Sequence, residues 1–163
     1  MNLLFYLLLT LSIVGLDQYT KKLVVLIIEE GKEITIINNF LRFVNVKNYG
    51  AAFSILQNQR LILIIIPIIF IIGCVFMIIK NRNKSKLLLI SLTFILSGAI
   101  GNLIDRIKLS YVVDFIDFNF GTYHYPSFNV ADSFVTVGAV LLIIYLIFFD
   151  KKKKKNEDNK TSN

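Results

Sequence analysis

Four stretches of this 163-residue chain contain no Lys, Arg, Asp, Glu or His: 1–16, 61–79, 87–104 and 133–149. They hold 16, 19, 18 and 17 residues. An α-helix rising about 1.5 Å per residue needs about 20 residues to cross about 30 Å of hydrocarbon, and about 17–25 will serve. The two middle stretches qualify as they stand. The last lengthens through Val130 and Ala131, and the first by running on through Asp17, Gln18, Tyr19 and Thr20. The pattern predicts an all-α integral membrane protein with transmembrane helices near 2–20, 61–79, 87–105 and 131–149. A cleaved signal peptide at 1–16 is disfavoured, because that segment has no basic side chain and Gly15-Leu16-Asp17 is a poor cleavage site.

Composition narrows the chemistry. Hydrophobic residues make up 55% of the chain and charged residues 18%, against about 45–50% and about 25% in soluble domains. The one Cys excludes a disulfide framework and a thiolate zinc site. The one His excludes two-His metal motifs and leaves little for Ser-His or Cys-His catalysis. The length allows a single domain, 1–150, followed by a basic tail, 151–163.

The basic residues set the expected topology. The connection Lys80-Asn-Arg82-Asn-Lys84-Ser-Lys86 carries four cations and no acid, and five lysines open the tail. Positive residues near helix ends stay cytoplasmic, so both termini and the 80–86 connection belong inside, and segments 22–60 and 106–130 outside. The formal charge of +7 and the tail suit anionic lipid headgroups and give no ground for a nucleic-acid partner. In the first outer segment, alternation at 33–36 and 42–46 predicts short strands, with Gly31 and Asn38-Asn39 as turns. Together they predict a small extracytoplasmic β-sheet on the outer face of the membrane.

Polar residues gather where the outer helix ends should converge. Asp17 and Lys21 stand four apart near the end of helix one. Asn48-Tyr49-Gly50-Ala51-Ala52-Phe53 precedes helix two, and Gly101-Asn102-Leu103-Ile104-Asp105-Arg106 closes helix three. Val112-Val113-Asp114-Phe115 and Phe128-Asn129-Val130-Ala131-Asp132-Ser133 follow. Carboxylates at membrane depth cost about 2.5–3.5 kcal/mol each at a helix centre, and somewhat less near the interface. Asp114, read as lying on a loop among apolar neighbours, should have a raised pKa. Two carboxylates brought together share a proton, so that one takes a proton from a water while the other protonates a carbonyl. Asp132 alone reads equally well as the N-cap of helix four.

These five motifs, in this order and placement, resemble those of the bacterial lipoprotein signal peptidases (type II signal peptidases), and no motif position departs from the pattern. The resemblance spans residues 17–133. It implies an integral-membrane aspartic endopeptidase of the bacterial plasma membrane. Such an enzyme cleaves prolipoproteins just before a Cys already carrying a diacylglyceryl group, and is blocked by cyclic depsipeptides such as globomycin. It implies Asp114 and Asp132 as the catalytic pair. Asn48, Gly50, Asn102, Arg106 and Asn129 would bind substrate or support the pair, and Asp17, Lys21 and Asp105 would be structural polar residues. No metal or other cofactor is implied, and the partners would be lipid-modified precursors and membrane lipids, met by a monomer.

Other readings attach to single residues. Arg106 could pair with Asp105 or reach headgroups. Asp117, the rival to Asp114, lies outside the motifs and reads as solvated, so an Asn there should stay active. His124 reads as an interfacial hydrogen-bonding residue and Cys74 as inert packing. Phe118, Phe120, Tyr123, Tyr125 and Phe128 suit an interfacial aromatic belt. From another class, intramembrane carboxylates also suit a proton-coupled carrier subunit, but that predicts acids at mid-membrane and duplicated halves, and neither is present.

Overall fold

The computed structural model describes residues 3–50 and 59–150. Its elements run α1 (Leu3–Ile27), β1 (Glu33–Ile37), β2 (Leu41–Asn48), α2 (Arg60–Lys80), α3 (Lys86–Lys108), β3 (Val112–Phe120), β4 (Tyr123–His124) and α4 (Val130–Tyr145). A π turn, Leu146–Asp150, prolongs α4. Among the described residues, four helices are long and apolar enough to cross a membrane, as the charge-free stretches predict. The Ala51-Ala52-Phe53 part of the second motif and the basic tail lie outside the described residues.

Helix α3 is central. It packs against α1, α2 and α4 and is buried along most of its length. Its small residues explain how. A Cβ on Gly98 would lie 2.2 Å from the Ala131 carbonyl oxygen, and one on Gly138 of α4 would lie 2.8 Å from the Ser91 carbonyl oxygen. The α3 and α4 backbones therefore touch where a side chain would part them, the small-residue packing common in membranes. Ser91, Thr93 and Ser97 are buried in α3, and their hydroxyls donate to carbonyls one turn back, leaving no polar hydrogen unpaired. The opposite faces carry exposed apolar side chains, such as Leu61, Ile65, Ile69, Ile72 and Phe76 of α2, as a lipid solvent allows.

Helix α1 runs seven residues beyond its expected end at residue 20. One stripe explains this. Tyr6, Thr10, Ile13, Asp17, Lys21 and Val24 recur at three- and four-residue spacing and are all buried, so the helix period continues straight through the ionic pair. The charges that limited the apolar count are neutralised inside the protein.

The α1–α2 and α3–α4 connections combine in one antiparallel sheet, in the order β1-β2-β3-β4. Strands at 33–36 and 42–46 were expected and form. Asn39 and Gly31 take the left-handed backbone that the turns require, with φ of 58° and 76°. Strands β3 and β4 were not expected. The stretch 112–120 mixes acids into both faces and hides its period, yet it is the best-buried strand. A small core of Val24, Ile28, Val113 and Phe115, with Phe43 and Val130 against it, joins the sheet to α1 and the start of α4.

Gly98→Ala should lower stability by about 1–3 kcal/mol through overpacking. Gly73→Ala, whose added methyl meets nothing within 4 Å, should be neutral or stabilising by about 0.5–1 kcal/mol. Thermal unfolding of both variants in detergent micelles checks this.

Candidate active site

Helices α1 and α3 are joined through one ammonium group. Lys21 Nζ lies 2.8 Å from Asp17 Oδ2, 2.9 Å from Asp105 Oδ2 and 2.9 Å from Asn102 Oδ1. An ammonium has three hydrogens, and here each has an acceptor. Lys21 is 3% exposed, Asp17 0% and Asp105 4%, so the charges meet one another instead of water. The i, i+4 spacing of Asp17 and Lys21 places both on the inner face of α1, and Asp105 and Asn102 reach them from α3.

The same two carboxylates also hold neighbouring backbone and the Gln18 side chain. Asp17 Oδ1 accepts from the Ala131 amide at 2.9 Å, satisfying a first-turn N–H of α4 with a negative charge at the positive end of its dipole. The same carboxylate requires Gly101, where a Cβ would come within 2.7 Å of Asp17 Oδ2. Asp105 Oδ2 accepts from the Val113 amide at 3.3 Å, fixing β3 where it leaves α3, and Asp105 Oδ1 accepts from Gln18 Nε2 at 2.8 Å.

Asp114 and Asp132 arrive on this frame from different elements. Asp114 lies on β3, paired with Val46 of β2, and not on the expected loop. It is 3% exposed. Asp132 is not the N-cap of α4. Asn129 is, and Asp132 completes a reciprocal capping box: Asn129 Oδ1 accepts from the Asp132 amide at 2.9 Å, and Asp132 Oδ2 accepts from the Asn129 amide at 3.2 Å. One cap therefore orients one of the two acids.

Asparagine amides connect the pair. Asn129 Nδ2 donates to Asp114 Oδ1 at 2.7 Å, Asn48 Nδ2 to Asp114 Oδ2 at 2.8 Å, and Asn102 Nδ2 to Asp132 Oδ1 at 2.7 Å. Asn129 Nδ2 also approaches Asn102 Oδ1 at 3.2 Å, so Asp114 and Asp132 are linked through two amides whose far ends are fixed. Lys21 fixes the oxygen of Asn102, which leaves its NH2 for Asp132. Burial, and next the negative charge of Asp132, push the Asp114 carboxyl up to about 7, against the opposing hydrogen bonds from Asn48 and Asn129. A carboxyl with such a pKa exchanges a proton near neutrality, as acid–base chemistry requires.

The other expected residues are placed as follows. Gly50 donates its amide to Asn48 Oδ1 at 2.9 Å, closing a turn that holds the Asn48 side chain. Arg106 does not pair with Asp105. Its Nη2 donates to the Gly50 carbonyl at 3.3 Å, within the field of Asp132 and Asp114. Arg106, Asn48, Tyr49, Arg60, Leu63 and Ser110 line a small cleft. Asp117 is buried and not solvated: Arg42 Nε and Nη2 both donate to its Oδ2, and Ser127 Oγ donates to its Oδ1 at 3.3 Å. His124 is exposed and lies 3.4 Å from Arg42 Nη2. Cys74 is buried among apolar side chains. No group of three or more His, Cys, Asp or Glu able to hold a metal occurs among the described residues. Arg42 and Ser127 were missed in the sequence. Their signal is the pairing of Arg42 with Asp117 across β2 and β3, which needs the unexpected strand.

Comparison with known proteins gives a consistent picture. A family model described as signal peptidase (SPase) II matches residues 9–148. A lipoprotein signal peptidase of Clostridium tetani is 45% identical over 128 residues, covering 78% of this chain and 82% of that protein. One from Listeria monocytogenes serotype 4a is 45% identical over 140 residues, covering 85% and 90%. Among solved structures, a bacterial membrane enzyme determined by the in meso method at 2.3 Å superposes with a TM-score of 0.83 at 36% identity, covering 88% of this chain and 87% of that one. A second, at 1.9 Å, gives 0.81 at 35% identity, covering 89% and 94%.

The Asp114 titration is directly measurable. A carboxyl whose folded pKa exceeds its unfolded value of about 3.9 favours the fold at low pH, and loses that contribution as pH rises through the folded value. Carboxyl carbon NMR should find its midpoint near 7. In Asp132→Asn the midpoint should fall, because the adjacent negative charge is gone, yet stay above the ordinary carboxylate range because burial remains.

Proposed function

We propose, since the chain belongs to the signal peptidase II family, that it is a membrane-embedded aspartic endopeptidase. It removes the signal peptide from diacylglyceryl-modified prolipoproteins, just before the lipid-bearing Cys. The observation that carries this reading is the linkage of Asp114 to Asp132 through Asn129, which caps the helix bearing one acid while donating to the other. Burial and the charge of Asp132 push the Asp114 carboxyl up to about 7, so the pair can hold one proton near neutrality.

The chemistry follows from these groups. The charged member of the pair takes a proton from a water as the water oxygen attacks the scissile carbonyl carbon. The protonated member gives its proton to the carbonyl oxygen. The resulting tetrahedral species collapses with a proton passing to the departing nitrogen, and the pair is restored. Asn48, Asn102 and Asn129 hold the carboxylates so that this proton traffic needs little rearrangement. Arg106, bound to the Gly50 carbonyl beside Asn48, is placed to hold substrate backbone at the cleft.

The membrane supplies the rest. The Lys80–Lys86 cations favour a cytoplasmic α2–α3 connection, and in this reading both termini share that side while the sheet and the acids face the exterior of the plasma membrane. A substrate anchored by its acyl chains then presents its scissile bond at the depth of the acids. Its signal helix lies along the bundle, and the enzyme works as a single chain. A proton-coupled carrier is not favoured, because the family is one of peptidases.

Purified protein with a diacylglyceryl-modified prolipoprotein tests the proposal. Asp114→Asn and Asp132→Asn should each reduce cleavage by about 10²–10⁴-fold, and activity should persist in EDTA. Wild-type cleavage by either variant would overturn the two-aspartate mechanism.

A further inference from the structure

Asp114 sits on β3 and Asp132 on α4, with 17 residues of chain between them. Their mutual geometry therefore depends on how the segment entering α4 is seated on β3. Backbone and side-chain bonds form this seat, and the Tyr125 amide begins it by donating to the Phe118 carbonyl at 3.0 Å. The amides of Phe115 and Ile116 donate to the Phe128 carbonyl at 3.0 and 2.8 Å, and the Phe128 amide donates to the Ile116 carbonyl at 3.0 Å. Beside these backbone bonds, Asn129 Nδ2 donates to Asp114 Oδ1 and to the Val113 carbonyl, and one further side-chain bond, from Ser127 Oγ to Asp117 Oδ1, lies farther along β3. Asp117 lies three residues after Asp114, and Ser127 two residues before Asn129.

The other side of Asp117 is held by charge. Arg42 stands opposite it on β2 and donates twice to its Oδ2, while Arg42 Nη1 donates to Glu33 Oε2 on β1 at 2.7 Å. One guanidinium thus joins β1, β2 and β3. It does so on the near side of an irregularity between Phe43 and Val46, beyond which Val46 pairs with Asp114. A register break next to a functional carboxylate leaves local position weakly specified by the ladder itself. A buried, doubly bonded carboxylate on the paired side restores that specification.

From this arrangement we infer that Asp117 and Ser127 are positioning residues, whose bond seats the strand-to-helix segment on β3 and so sets Asn129 and Asp132 against Asp114. The inference rests on the two-aspartate reading above. It replaces the expectation that Asp117 is solvated and that an Asn there is harmless. Neither residue touches the reacting groups: Asp117 acts through Ser127, and Ser127 through the cap residue two positions on. A displacement well under 1 Å at Asn129 is enough to matter, since a misplacement of about 1 Å can cost about 100-fold in rate.

The test compares Ser127→Ala, Ser127→Thr and Asp117→Asn with wild type and Asp114→Asn, in detergent with a diacylglyceryl-modified prolipoprotein. The readouts are kcat, KM and thermal midpoint. Ser127→Ala and Asp117→Asn should lose roughly ten-fold in kcat with KM unchanged. Ser127→Ala should keep the wild-type thermal midpoint, and Ser127→Thr, which retains the hydroxyl, should recover most of the rate. Wild-type kcat in Ser127→Ala, or a Thr variant as slow as the Ala variant, overturns the positioning role. Should Asp117→Asn fail to fold, the Ser127 pair decides alone. An inactive Asp114→Asn beside a fully active Ser127→Ala removes this inference and leaves the two-aspartate reading standing. An active Asp114→Asn removes that reading itself.

Discussion

A lysine ammonium almost wholly withdrawn from water holds the functional end of this molecule together. Removing a charge from water costs several kcal/mol even after relaxation, and the cost is offset only where partners and geometry are complete. Here they are: two carboxylates and an amide oxygen meet the three hydrogens of Lys21. Each partner then passes the constraint on. Asp17 secures the first turn of α4, Asp105 the start of β3, and Asn102 presents its NH2 to Asp132. Replacing Lys21 by a neutral residue would leave two buried anions facing each other, and the consequence would reach three elements at once.

This frame explains how four membrane-length helices and a small sheet build a polar site. The helices supply burial and fixed backbone, and α3 does most of this because its glycines let α4 approach to backbone contact. The sheet supplies one acid and the helix N-terminus the other. The two are linked through asparagine side chains, which carry no charge and so orient the carboxylates without neutralising them. Burial and the neighbouring anion then keep Asp114 protonated far above the ordinary range.

Much of this was legible in the residues. Charge-free runs of helical length marked all four helices, and Asp17, Lys21, Asn48, Asn102, Asn129 and the two acids all fell in motifs that the fold brings to one end of the bundle. Contacts between distant segments were not legible. The stretch 112–120 hid a strand because Asp114 and Asp117 interrupt its alternation, and both acids are buried for reasons located elsewhere, in Asn129 and Arg42. Asp132 looked like a cap because acids favour helix starts. The cap three residues earlier was also visible, as an Asn followed by an acid at the third helical position. The end of α1 at Ile27 is not legible, because a charge pair reads as a helix limit until its partners on another helix are known.

The central claim is that Asp114 and Asp132 act on one water between them. A high-resolution crystal structure grown from a lipid mesophase measures this directly. The expected result is one ordered water within about 3.2 Å of a carboxylate oxygen from each residue, on the side away from Asn102 and Asn129. Carboxylates turned into separate cavities, or Asp132 drawn onto Lys21 with no shared water, would contradict it.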